Sequence, residues 1–286
     1  MGVFPPELRG ESDYTREVCV RGCVQAVCCG RVTIEVGAVV MPCDDVFGPN
    51  DVDTLFVKEV TASTVFLLDV DNTLLDNDRF SADLRARLTY QFGQAECDRY
   101  WSLYEQLRDT VGYADYLGAL QHFRLENDNR PGLLAMSAWF MNYPFENLLF
   151  SHALETIRHL NTLGSAVILS DGDVVFQPYK IESAGIYGAV GGRVLIFVHK
   201  EKALDAMQAR YPAEHYVMVD DKPNLLAAMK RQLGDRLTTV FVRQGHYAAQ
   251  ADTASIQPAP DHTIEHIDDL QRLAGNLVRV NIAPVA

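Results

Sequence analysis

The 286-residue chain sets 25 Lys and Arg against 38 Asp and Glu, a formal net charge of −13. A general nucleic-acid or anionic-membrane surface is therefore excluded, since both need a basic patch. With 48% hydrophobic and 22% charged residues, the composition suits a soluble globular protein of one large domain or two modest ones.

No apolar run is long enough for a bilayer, and the opening MGVFPPELRGESDY lacks a basic segment followed by an apolar one. The cytoplasm is the expected location. Residues 1–63 differ in texture from the rest of the chain, with Pro5-Pro6, mixed charges, a strand or hairpin expected over Arg31 to Met41, and a loop at Gly48-Pro49-Asn50. They read as an N-terminal extension without chemistry. Cys19, Cys23, Cys28, Cys29 and Cys43 fall here, and only Cys97 lies in the body. Their C-x3-C-x4-C-C spacing lacks C-x2-C knuckles and a neighbouring histidine, so free thiols are expected instead of zinc or disulfides.

Thr64 to Leu68 is a short apolar run rich in β-branched and aromatic residues, which predicts a strand buried on both faces. It ends in Asp69-Val70-Asp71-Asn72-Thr73. Side chains two apart on extended backbone point the same way, so Asp69 and Asp71 can face one reaction centre as nucleophile and proton carrier. Two adjacent carboxylates repel each other and an anionic substrate, which calls for a hard cation such as Mg2+.

Apolar stripes then predict helices: Phe80, Leu84, Leu88 and Phe92 up to Gly93; Tyr100, Leu103, Tyr104 and Leu107; Tyr113, Tyr116, Leu117 and Leu120; and Gly132 to Tyr143, closed by Pro144. Most of these tyrosines are assigned to packing between helices. A fifth helix opens at Ser151, with Leu154, Ile157, Leu160 and Leu163 on one face and Gly164 as its stop. Strands are expected at Ala166 to Leu169, Arg193 to Val198, His215 to Val219 and Leu237 to Val242, with helices at Lys202 to Arg210 and Pro223 to Leu233. This alternation predicts a parallel sheet with helices on both faces, whose ligands bind beyond the carboxyl ends of the strands. A last helix, Ile267 to Leu273, is expected in the tail.

Those ends carry polar residues. Ser170, Asp171 and Gly172 make a donor set that fits a phosphoryl oxygen. Lys200, with Lys202 in reserve, can neutralise the nucleophile and a phosphate. Asp220-Asp221 precede Lys222-Pro223-Asn224 and, joined to Asp69, complete an oxygen-rich magnesium site.

The ordered set DVDNT at Asp69 to Thr73, SDGD at Ser170, lysine at Lys200 and VDDKPN around Asp220 resembles the haloacid dehalogenase-like (HAD) hydrolase superfamily, over about residues 64 to 245. The resemblance implies a Rossmann-like α/β core at 64–77 and 147–275, with a helical cap of the C1 type at 78–146 inserted after the first core strand. Residues 276–286 are then a C-terminal tail. It implies that Asp69 attacks phosphorus to form an aspartyl-phosphate and that Asp71 protonates the leaving oxygen before activating water. Asp69, the main-chain carbonyl of Asp71, and Asp220 or Asp221 hold Mg2+, with Asn224 as an outer ligand. Ser170 and Lys200 grip the phosphoryl group, and Thr73 and Asn72 shape the turn. Dehalogenase members lack the second aspartate, so Asp71 argues for a phosphatase of a small phosphorylated metabolite. A phosphomutase using the same intermediate and a non-catalytic binding module are the alternatives. Tyr113, Tyr116, His122, Arg124 and Arg130 could reach the site from the cap, and His246 and Tyr247 stay unassigned.

Overall fold

The computed structural model describes residues 62–126, 131–252 and 255–278, and five short strands ahead of them. The chain divides into two compact units, Met1–Val60 and Thr61–Ala286. In the first, β1 (Val18–Val20) pairs antiparallel with β2 (Cys23–Gln25), and β3 (Val27–Cys28), β4 (Arg31–Val36) and β5 (Val39–Pro42) form an antiparallel sheet. The hairpin expected between Arg31 and Met41 is β4–β5. The expected loop at Gly48 to Asn50 lies outside the described residues, as do the side chains of the five early cysteines on which the expectation of free thiols rests; Cys97 is a buried free thiol.

The second unit is built on six parallel strands, β6 (Ala62–Leu68), β7 (Ser165–Asp171), β8 (Val194–Phe197), β9 (Ala213–Asp220), β10 (Leu237–Val242) and β11 (His262–Ile264), in the spatial order β11-β10-β9-β6-β7-β8. The two-residue period of β6 feeds two cores. Phe66 and Leu68 pack with Ile157 and Leu160 of α5 (Ala153–Leu163) and with Leu270 and Ala274 of α11 (Asp269–Leu277). Val65 and Leu67 pack with Leu204 and Met207 of α8 (Leu204–Arg210) and with Leu226 and Met229 of α9 (Pro223–Leu233). Helices therefore cover both faces. Because the chain runs from β6 outward through β7 and β8 and then returns to β9 on the other side of β6, the strand order reverses beside β6, where such sheets bind ligands.

Four helices lie between β6 and α5: α1 (Asn77–Phe92), α2 (Gln94–Val111), α3 (Tyr116–Glu126) and α4 (Leu133–Met141). Fully buried Phe80 of α1 ties them to the sheet domain, its ring 5.1 Å from Tyr116, 5.0 Å from Tyr143, 5.3 Å from Phe145 and 5.7 Å from Phe176. The chain enters and leaves this insert through two adjacent segments. Asp76 N donates to Leu148 O at 2.8 Å and Phe150 N to Leu74 O at 3.0 Å, flanking a Leu75–Leu149 bridge.

Several elements depart from the sequence pattern. The third helix begins at Tyr116 and not at Tyr113, because Gly112 ends α2 in the left-handed region and Asp115 Oδ1 accepts from Gly118 N at 2.6 Å. The fifth begins at Ala153, after a turn through Ser151 and left-handed His152. Three short helices, α6 (Phe176–Ser183), α7 (Ile186–Ala189) and α10 (Gly245–Gln250), and the edge strand β11 were not expected. Among the described residues, no helix is long and apolar enough to cross a membrane.

Candidate active site

Leu68 pairs with Ile168 on β7 and Val219 on β9, so the residues after all three strands emerge along one edge. Asp69 N donates to Val219 O at 3.1 Å, which fixes the first acid beside the Asp220-Asp221 pair. Asp69 is 3% exposed, and Thr73 Oγ1 donates to its Oδ2 at 3.4 Å. Fully buried Lys200 bonds Asp69 Oδ1, lies 2.6 Å from Asp220 Oδ2, and donates to Leu169 O at 3.3 Å. Lys202 is exposed and carries no bond to these acids, so Lys200 is the lysine placed among them.

Single oxygens of Asp69, Asp220 and Asp221 lie within 4.8 Å of one another. Asp220 Oδ1 also accepts from Lys222 N at 2.8 Å, whereas both oxygens of Asp221 are buried without a hydrogen-bond partner. Burial, then the charges of Asp220 and Asp69, push the Asp221 carboxyl up to about 9. Burial works against the charge on Lys200, but Asp220, Asp69 and Asp171 outweigh it and hold its pKa above the ordinary lysine value. Lys222 is raised in the same way, burial being outweighed first by Asp69 and Asp220. Orphaned carboxylate oxygens beside two further acids are a donor set that fits a hard divalent cation. Asn224 is exposed.

The other expected residues take distinct places. Asp171 Oδ1 accepts from Lys200 N at 2.7 Å, so it anchors the loop that carries the lysine, and burial lifts its pKa to about 6. Ser170 is buried, its Oγ accepting from Gln177 Nε2 at 3.0 Å. A Cβ on Gly172 would lie 2.7 Å from the Gln177 Cβ, so the bare backbone there admits Gln177. The Asp71 carboxylate is not part of the three-acid group; it pairs with buried Lys180 and receives Gln177 Nε2 at 3.5 Å. Asn72 holds φ of 61° and its Oδ1 accepts from Asn77 N at 3.0 Å and Asp78 N at 3.2 Å, closing the turn onto α1.

A cavity of about 680 Å³ opens beside Asp71, lined by Asp171 and Lys222 from the sheet side and by Arg85, Trp101, Arg108 and Tyr116 from the insert. Tyr113, His246 and Tyr247 also line it, whereas His122 and Arg124 are exposed elsewhere and Arg130 lies outside the described residues. Sequence reasoning missed Gln177, Lys180, Arg85 and Arg108. Nothing in the periodicity separates them from solvated helical positions.

This geometry agrees with the comparisons to solved structures. A haloacid dehalogenase-like hydrolase from Burkholderia xenovorans LB400 is 52% identical, with a TM-score of 0.72, and the match covers 76% of this chain and 99% of that one. The chain belongs to the haloacid dehalogenase-like hydrolases. More distant HAD structures share the fold. The L-2-haloacid dehalogenase PA0810 matches at 18% identity and TM-score 0.52, over 74% of this chain and 99% of its own. The HAD hydrolase YfnB from Bacillus subtilis, solved bound to magnesium, matches at 14% identity and TM-score 0.51 over the same shares. No family model matches the sequence, and no curated protein does.

Proposed function

We propose that this HAD hydrolase is a magnesium-dependent phosphatase of a small phosphorylated compound, working through an aspartyl-phosphate on Asp69. The observation that carries the reading is the second carboxylate, Asp71, which lines the cavity two residues from the buried Asp69. A departing halide is a weak base and needs no proton. A departing alkoxide does, and a protonated carboxyl group at the mouth of the site can supply it.

In the first half-reaction the Asp69 carboxylate attacks phosphorus, the bond from phosphorus to the leaving oxygen breaks, and that oxygen takes a proton from Asp71. In the second, water attacks phosphorus, Asp71 takes the water's proton, and phosphate leaves with Asp69 restored. Lys200 faces the nucleophile as a fixed positive charge, and Thr73 Oγ1 orients its second oxygen. Asp69, Asp220 and Asp221 are the residues that would hold Mg2+, and the unpartnered oxygens of Asp221 favour it over Asp220, which is already paired with Lys200. Bound there, the ion supplies charge neutralisation to a loose phosphoryl transition state.

The test is product analysis with wild type and D69N. Phosphate release from phosphomonoesters, no halide release from 2-haloacids, and a loss of about 10⁴-fold or more in D69N are expected. Halide release without phosphate release would assign the chain to dehalogenation instead. A product that is an isomeric phosphate, with little free phosphate, would mark a mutase.

A further inference from the structure

Among the described residues two lysines are buried, Lys200 at 0% and Lys180 at 1% exposure. The nucleophile uses the first; the second has no part in the reaction so far. A buried ammonium is costly unless it is paired and hydrogen-bonded. Lys180 meets both conditions at the acid/base, its Nζ bonding Asp71 Oδ1 and donating to Asn77 Oδ1 at 3.1 Å.

Gln177 precedes Lys180 by three residues on α6, so both side chains leave the same face of that helix. Its Nε2 donates to Ser170 Oγ at 3.0 Å and reaches Asp71 Oδ2 at 3.5 Å. Each oxygen of Asp71 is therefore approached by one donor from α6. The outer torsion of an aspartate is soft and broad, and proton transfer needs the two heavy atoms within about 2.6–3.2 Å. A carboxylate clamped at both oxygens keeps its plane turned to the cavity. The clamp is braced from the insert, because Asn77 Nδ2 donates to the hydroxyl of Tyr116 at 3.1 Å, and Tyr116 lines the cavity.

We propose that Lys180 is a positioning residue for proton transfer: with Gln177 it fixes the Asp71 carboxylate against the leaving oxygen of the substrate. This rests on the phosphatase reading above. The dependence is on leaving-group chemistry. p-Nitrophenolate departs as a stable anion, whereas benzyl alcohol must be protonated as it leaves.

The experiment compares kcat and kcat/KM, the latter reporting the steps up to departure of the alcohol, for p-nitrophenyl phosphate and benzyl phosphate in wild type, D71N, K180M and K180R, with a thermal melt of each. D71N is expected to lose about 10²-fold in kcat/KM on benzyl phosphate and less than about threefold in kcat/KM on p-nitrophenyl phosphate, while its kcat falls on both because the water step is shared. In kcat/KM, K180M is expected to lose at least about tenfold on the first and less than about threefold on the second, and K180R to regain part of the loss. Equal losses on both substrates in K180M, beside a biased D71N, would overturn the role of Lys180 and leave that of Asp71 intact. An unbiased D71N, or a wild type idle on both probes, would bring down the phosphatase reading and this inference with it. Absence of a melting transition in both K180M and K180R would make Lys180 a folding residue and also overturn the proposal.

Discussion

Two aspartates stand two residues apart, each beside its own buried lysine, yet the two pairs are built differently. Asp69 shares Lys200 with Asp220, and Asp221 stands alongside with no partner for either oxygen. Even with Lys222 counted, three carboxylates there face two ammoniums. Asp71 and Lys180 are matched one to one, and the neutral side chains of Gln177 and Asn77 complete their bonds. With all three acids ionised the first centre is short of positive charge, whereas the second is balanced. An imbalance sealed from water attracts a cation, while a matched pair needs none.

The contrast can be broken most severely at Lys200. K200M strands three buried acids, and a destabilisation of about 3–5 kcal/mol is expected by urea unfolding, together with loss of turnover. Mg2+ should restore part of that stability; a K200M protein unfolded equally with and without the ion would contradict the charge shortage.

Asp221 gives the next largest effect. Adding Mg2+ to wild type should raise Tm by several degrees, as expected for a ligand that binds only the folded state. D221N should abolish most of that rise while itself melting higher than metal-free wild type at pH 8, because it removes a carboxyl that must take up a proton to fold at that pH.

The pH dependence of the metal-free protein sharpens the same point. A carboxyl with a folded pKa of about 9 against an ordinary 3.8 keeps its proton in the folded state across that interval, and so does Asp171 up to about 6. The folded state then binds more protons than the unfolded one, so stability falls as pH rises from about 4 to about 9. The steeper part lies below about 6, where both groups contribute. Saturating Mg2+ should flatten the upper limb in a series of denaturation curves.

The smallest effect is expected at the cavity rim, where His246 Nδ1 pairs with partly exposed Asp78. H246A should cost no more than about 1 kcal/mol, since exposed pairs are worth little. A larger loss would mean that the rim, and not the strand ends, secures the insert.

The strand ends were legible because β6, β7 and β9 are short apolar runs that stop abruptly at acids or serine, a contrast of period and polarity that survives without a structure. Tyr100, Tyr104 and Tyr116 were legible as packing, and all three are buried. The clamp on Asp71 was hidden. Pro178 lies within α6, and the segment from Phe176 to Lys180 has no stripe that would mark a helix, so a lysine there looks solvated. The strand β11 has three residues, too few for an alternation to show. Arg85 and Arg108 sit at the margins of otherwise ordinary amphipathic helices, and only the fold turns those margins toward a cavity.

The insert is joined to the sheet by two neighbouring crossings, zipped together at Leu75 and Leu149 just past the Asp71 turn. A splice at that zipper would exchange the whole helical bundle in one cut, replacing the insert's walls of the cavity while the residues at the ends of β6, β7 and β9 stay where they are. The helical walls of the cavity are thus a module by construction, with its seam to the sheet only a few residues from Asp71.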